Sequence, residues 1–487
     1  MDNLVNDNPV YVDFPIPEFR GNPCVEAIAR PPKDNDEAIL RLSRTPYFDP
    51  SELELDASLR MLLPARLFNF MFPTGLHVKI LKRINLQIFN GYRHRNPLSP
   101  EGQRYLHEAA DGTSFSGGHS SPLIIPASIS FLTGLSGMGK SALARAVMAS
   151  LGKPVIKHSM YHGLPFPETQ ILYLMRNVPD QCSARALCKS FGEHADYLLA
   201  QRLYSDYFSD KSLNRSDIVV ELRRIIVAHH IAALVIDNFE NLSLARSGGK
   251  KELIALIVNL REELGVPILI VGTYKAAEIL RDDASVTRRL VGDGFYELKR
   301  PLSCEDEDYR GLVAAAWDYH WTKERAELNE EMYFILYDLS QGITAIVLTL
   351  LVFAQVDAID NGTERVDAST IKNVYTEQFK PLHGIIDALR SGDSEAIGAY
   401  DDLYLRAFKS LKADMMFDKI DAIREEYLRQ QEAYLGMTDI GSSNARKLQK
   451  RSKRKYARQN HDSLLTKVTE GTSTLADIFP TMMGNRS

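Results

Sequence analysis

SISFLTGLSGMGKSALARAVM, Ser128 to Met148, decides the fold. It opens as an apolar run of strand type and closes with apolar residues at helical spacing. Between them GLSGMGKS, Gly134 to Ser141, satisfies G-x-x-x-x-G-K-[ST] at every fixed position. Glycines let the backbone curl so that successive N–H groups face phosphate oxygens at a helix N-terminus. Gly134, Leu135, Ser136, Gly137, Met138, Gly139, Lys140 and Ser141 are therefore the expected phosphate cradle. Lys140 is expected at the β and γ phosphates of ATP, and the Ser141 hydroxyl at Mg2+. A chance Gly-rich turn is the bland alternative, and the flanking strand and helix argue against it.

Outward from this loop, short apolar runs alternate with helical patterns. TQILYLMR, AALVID and VPILIVGTY read as strands, while SARALCKSFGEHADYLL, SDIVVELRRIIVAHH and KKELIALIVNLREEL read as helices. Fully apolar strands in such an alternation predict an α/β fold with a parallel sheet covered by helices on both faces. From about Cys304 to Arg390 the strand signal gives way to helical periodicity. LRMLLPARLFNFMF and VKILKRINLQIFNGY, upstream of the loop, also look helical, and DGTSFSGGHSSP, Asp111 to Pro122, reads as a boundary. The expected organisation is an N-terminal region for partner contact and assembly over 1–120, a nucleotide-binding core over 121–302, a helical lid over 303–392 and a charged tail over 393–487.

ALVID, Ala233 to Asp237, ends an apolar strand in an acid, and Asp237 is expected to share the magnesium with Ser141. The next residue, Asn238, stands where a water-activating Glu is common. An amide orients water by hydrogen bonding but cannot take its proton, so slow hydrolysis is expected. Glu240 is a candidate substitute base if the chain stays extended, because residues two apart then share a face. Thr273 ends another apolar strand, either as a sensor of the γ phosphate or as a turn former. Arg288 and Arg289 either reach a neighbouring subunit's nucleotide or are solvated.

A net charge of −5 excludes a uniformly basic nucleic-acid binder, so DNA contact must come from local patches. Cys24, Cys182, Cys188 and Cys304 show neither metal-ligand spacing nor a disulfide pattern, which favours free thiols in a reducing cytoplasm. No secretory signal opens the sequence. ITAIVLTLLVFA, Ile343 to Ala354, is too short to span a bilayer and is expected as a buried helix, so no membrane partner is expected. RKLQKRSKRKYAR, Arg446 to Arg458, attracts DNA or an acidic partner, or is simply a solvated tail. Beyond it Leu475, Ile478, Phe479 and Met482 form an apolar cluster, suited to docking in a partner groove or to packing back on its own domain.

Together, the phosphate loop, LVIDNFENL, ILIVGTYKA, the paired arginines and the helical region resemble an AAA+ ATPase, whose fold is a five-stranded parallel sheet sandwiched by helices and followed by a helical lid. NPCVEAI (Asn22 to Ile28), GYRHRNP (Gly91 to Pro97), LVIDNFENLSLARSGG (Leu234 to Gly249), LIVGTYKAAEI (Leu269 to Ile279), LSQGITAIV (Leu339 to Val347) and FKPLHGIIDALRSG (Phe379 to Gly392) are similar to the TnsC family of transposition regulators. The likeness runs from about residue 10 to about residue 400. It implies a bacterial, nucleoid-associated, ATP-dependent protein that assembles as a ring or filament on duplex DNA and couples target-site selection to the transposase. It also implies as partners a target selector of the TniQ or TnsD type, the transposase TnsB and the endonuclease TnsA, which the C-terminal segment would dock. The stretch YLMRNVPDQCSARALCKSF aligns with the family's DNA-facing segment and suggests Arg185 and Lys189 as DNA contacts. Two departures stand out: Asn238, and GITA at Gly342 to Ala345, where many AAA+ lids carry a nucleotide-sensing Arg. An ATP-binding scaffold with negligible hydrolysis and an oligomerising signalling switch are the competing functions.

Overall fold

The computed structural model describes residues 4–110, 127–180, 182–210, 212–213, 215–244, 249–279, 289–290 and 292–392. Arg288, the basic run 446–458 and the terminal apolar cluster lie outside the described residues. Two compact units result, and they do not follow the expected borders. One joins residues up to Ser43 with Pro73–Lys299, and the other joins Arg44–Phe72 with Arg300–Asp393.

The first unit is built on a five-stranded sheet whose pairings are all parallel. Its strands are β1 (Ile129–Gly134), β2 (Tyr173–Asn177), β3 (Ala233–Asp237), β4 (Ile268–Val271) and β5 (Phe295–Leu298), in the spatial order β5-β1-β4-β3-β2. Every residue of β1, β3 and β4 is buried, as the continuous apolar runs require of a sheet covered on both faces. Helices α1 (Gly75–Tyr92), α2 (Lys140–Ala149), α3 (Ala184–Leu199), α4 (Arg215–Ala228) and α5 (Gly249–Leu264) belong to the same unit. Of these, α2 packs on β1 and β4, and α3 packs on β2.

TQILYLMR is not one strand. It breaks at Leu172: Thr169–Ile171 pairs antiparallel with Val155–Lys157 in a small three-stranded sheet that also takes in Val5–Asn6, while Tyr173–Asn177 enters the main sheet. The run contains no Gly or Pro to mark the bend. Similarly, LRMLLPARLFNFMF forms only short turns, Ala57–Arg60 and Pro64–Asn69, because Pro64 lacks the N–H that a continuing helix needs.

The N-terminal residues join the α/β unit through buried polar contacts. Tyr92 is fully buried; its hydroxyl donates to the His230 carbonyl at 2.6 Å, and it accepts from the Gln170 amide at 2.8 Å. The same Gln170 amide donates to the Cys24 carbonyl at 2.9 Å, so NPCVEAI and GYRHRNP meet at one point. All four cysteines are free thiols.

The second unit is helical: α6 (Glu307–Trp317), α7 (Glu330–Ser340), α8 (Thr344–Asp360), α9 (Ala368–Gln378) and α10 (His383–Ser391). Its axis is α8, the ITAIVLTLLVFA helix, buried around most of its circumference. Among the described residues no single helix is long and apolar enough to cross a membrane. Arg60, 1% exposed, fixes the 44–72 segment onto this unit. Its guanidinium makes a two-pronged ion pair with Glu364 and donates to the Trp321 carbonyl at 3.1 Å. Chiefly through the Arg60 hydrogen bond, the Glu364 carboxyl is held below its ordinary range.

Removing one partner of a buried pair leaves the other uncompensated, so Arg60→Ala is expected to destabilise the protein by about 3 kcal/mol in urea unfolding. Glu364 has its lower pKa in the folded state. Its contribution is therefore present above the unfolded carboxylate pKa and is lost as pH falls through the folded value. The Arg60→Ala penalty should shrink correspondingly on acidification.

Candidate nucleotide site

Parallel pairing brings the carboxyl ends of the strands to one edge of the sheet, where ligands of open α/β folds collect. Leu132 pairs with Val271, and Ile270 with Ile236. Continued along the strands, this register sets Gly134 level with Thr273 and places Asp237 on the strand beyond. Neighbouring strands lie about 4.8 Å apart, so the loop after β1 and the end of β3 are separated by roughly 10 Å, with β4 between.

The loop itself has the backbone that its glycines permit. Gly137 and Gly139 both have φ of 82°, and Gly139 caps the N-terminus of α2. Gly134, with φ of 149°, is required for a second reason as well. A Cβ there would lie 2.5 Å from the Leu298 carbonyl oxygen, so β5 can close on β1 only at a glycine. Lys140, 8% exposed, donates from its ammonium to the carbonyls of Gly134 at 3.0 Å and Leu135 at 2.8 Å. Those two partners are neutral and local, and a phosphate competes with them for the ammonium. Ser141 stands in the first turn of α2, partly exposed.

Asp237, 4% exposed, ends β3, and its carboxylate accepts the Asn238 N–H at 2.8 Å. Asn238 has φ of 52°. Asn is among the few residues other than Gly that adopt this left-handed region readily, and the conformation ends the strand. A short 3-10 turn, Phe239–Leu244, follows, begun by the Asn241 N–H donating to the Asn238 carbonyl. The extended geometry that would have placed Glu240 on the face of Asn238 is therefore absent. Glu240 instead accepts the Thr273 N–H on Oε2 at 3.0 Å. Thr273 is 3% exposed, and neither its hydroxyl nor that of Thr133 has a hydrogen-bond partner. No sequence signal pointed to Thr133, which lies inside a uniformly apolar strand.

The residues present fit a magnesium-bound nucleoside triphosphate. A curled loop at a helix N-terminus, a buried lysine ammonium on the loop carbonyls, two buried hydroxyls at the strand ends and one acid form the donor set of such a site. Among the described residues no group of three His, Cys, Asp or Glu could hold a metal by itself.

Other expected residues lie apart from this edge. Arg185 donates to the Asp210 carbonyl at 3.2 Å and to the Leu213 carbonyl, and Lys189 pairs with Glu193 at 4.0 Å on the surface of α3. Arg289 is exposed. Gln341 and Gly342 close α7 in left-handed conformations, so GITA begins in the turn between two helices and ends in the first residues of α8.

Residues 125–280 match a family model described as an AAA domain. No curated protein matches the sequence significantly. Among solved structures, the Aeropyrum pernix ORC2 protein in its ADPNP–ADP complexes is 13% identical, covering 70% of this chain and 86% of its own at TM-score 0.36. The Aeropyrum pernix ORC1 protein in complex with DNA is 15% identical, covering 72% and 87% at TM-score 0.36. The Thermotoga maritima RuvB Holliday junction branch migration motor is 14% identical, covering 63% and 86% at TM-score 0.32. Likeness over the whole chain is loose at these scores.

The two loop glycines should respond differently to substitution. Gly134→Ala forces β5 off β1 and is expected to lower stability by at least about 2 kcal/mol. Gly139→Ala meets open space and pays only for its positive φ, about 1 kcal/mol. Thermal unfolding of both variants checks the order. The family match spans β1 to β4 and every residue of the phosphate loop, so this part of the α/β core, residues 125–280, is similar to an AAA domain.

Proposed function

We propose that the chain is an ATP-dependent regulator of DNA transposition that oligomerises on target DNA and couples target-site selection to transposase recruitment. The observation that carries the nucleotide part is the phosphate loop, with Lys140 at its helix and Asp237 at the end of β3, one strand beyond β4, in a region similar to an AAA domain. The transposition part is supported by the TnsC-like phrases, which occur in both compact units.

Bound Mg·ATP supplies the transferable phosphoryl group and the metal charge that offsets its negative oxygens. The backbone N–H groups of 134–141 would bind phosphate, and the Lys140 ammonium would turn from its two carbonyls to the phosphate oxygens. Ser141 and Asp237 would hold the magnesium. The Asn238 amide orients water without accepting its proton, so hydrolysis is slow and the ATP-bound assembly is long-lived. Arg289 reaches the nucleotide of a neighbouring copy. Lys189, with an exposed ammonium, contributes to DNA contact by counterion release, whereas Arg185 contributes only by giving up its carbonyl partners. A target selector of TniQ or TnsD type, TnsB and TnsA complete the reading as partners.

Phosphate release with and without duplex DNA tests it. The parent should turn over slowly and be stimulated by DNA, and Lys140→Ala should lose on the order of a hundredfold. Turnover untouched by Lys140→Ala would remove the ATPase assignment. Asn238→Glu should raise the rate by about tenfold or more, while costing about 1 kcal/mol of stability for a Glu at positive φ. An unchanged rate would favour the ATP-binding scaffold. Filaments or rings on DNA with a nonhydrolysable ATP analogue, seen by electron microscopy, are expected; their absence argues for a switch that works without DNA.

A further inference from the structure

We infer that Glu240 is a positioning residue that acts through Thr273: it ties the turn after β3 to the end of β4 and so fixes where the Thr273 hydroxyl stands. The inference rests on the nucleotide reading above and changes the part that Glu240 plays in it.

Four observations converge. First, the Glu240 carboxylate accepts the Thr273 backbone N–H at 3.0 Å, a charge-assisted bond between the exits of two adjacent strands. Second, Thr273 is almost fully buried and its hydroxyl has no partner, so its orientation depends on the backbone that carries it. Third, the space between the two exits exists because residue 272 is glycine. A Cβ on Gly272 would lie 2.9 Å from Glu240 Oε2, 3.2 Å from Phe239 Cβ and 2.5 Å from Ala276 Cβ.

Fourth, the element that carries Glu240 is itself held firmly. Phe239 is fully buried and meets Phe131 of β1 edge to face at 5.9 Å, and the Asn241 amide donates to the Val178 carbonyl at 3.1 Å. The turn also packs on the helix Tyr274–Ile279 that begins directly after Thr273. Glu240 thus hangs from an anchored turn and grips Thr273, the second residue beyond β4. The left-handed Asn238 is what swings the chain into this turn. Asp237, Asn238 and Thr273 are in this way held as one mechanical set, although they come from two strands.

A positioning role and a base role differ in what an amide can replace. Gln keeps an oxygen able to accept the Thr273 N–H, but it cannot take a proton from water. Steady-state ATP turnover and nucleotide affinity are to be measured for the parent, Glu240→Ala, Glu240→Gln, Gly272→Ala, Thr273→Val and the double variant Glu240→Ala/Thr273→Val, with Lys140→Ala as reference. Positioning predicts that Glu240→Ala and Gly272→Ala lower kcat between about tenfold and a hundredfold, with KM changed less than about twofold. Glu240→Gln should recover most of the turnover lost in Glu240→Ala, and the double variant should be no slower than Thr273→Val alone.

Glu240→Gln as slow as Glu240→Ala would overturn the inference in favour of a base. Parallel loss of kcat, affinity and melting temperature in Glu240→Ala would overturn it in favour of a fold-supporting role, as would additive losses in the double variant. If Lys140→Ala turns over like the parent, the ATPase reading itself has failed, an outcome separate from any of these.

Discussion

Parallel pairing of Leu132 with Val271 and of Ile270 with Ile236 is the constraint from which the site follows. Parallel strands all deliver their carboxyl ends to one edge, and their buried faces leave no freedom to slip by one residue without turning apolar side chains outward. Gly134, Thr273 and Asp237 are brought together by that register. What each contributes then depends on how its strand ends: in a glycine curl after β1, in a left-handed Asn after β3, and in a glycine followed by a helix after β4.

The last two endings depend on each other. Gly272 leaves room for the Glu240 carboxylate, and Asn238 turns the chain so that Glu240 arrives there. Asn238 consequently has two physical reasons to be Asn. It tolerates a positive φ that a Glu would find costly, and it offers an amide that orients water without deprotonating it. Under the proposed function the second property would prolong an ATP-bound assembly, while the first applies even in a chain that never hydrolyses ATP.

Much of this was legible in the sequence, and the reasons are specific. GLSGMGKS could be read because glycines at fixed spacing, a lysine and a hydroxyl have few other uses between a strand and a helix. The strands β1, β3 and β4 could be read because burial on both faces leaves continuous apolar runs. The bend at Leu172 could not, since TQILYLMR holds no Gly or Pro to mark it. Nor could the left-handed turn at Asn238, because Asn serves many other roles, or the carbonyl partners of Arg185, which come from a turn more than twenty residues downstream. The division into units was hidden for a similar reason. Buried polar contacts of Tyr92, Gln170 and Arg60 decide where the N-terminal segments pack, and such contacts have no periodicity.

The central claim is that the edge formed by the ends of β1, β3 and β4 binds Mg·ATP. It is tested most directly by the position of the Lys140 ammonium in a structure determined with magnesium and a nonhydrolysable ATP analogue. The account predicts that Lys140 leaves the carbonyls of Gly134 and Leu135 for the β and γ phosphates, while Glu240 stays on the Thr273 N–H. Nucleotide bound elsewhere, or a Lys140 still bonded to those two carbonyls with nucleotide present, would contradict it.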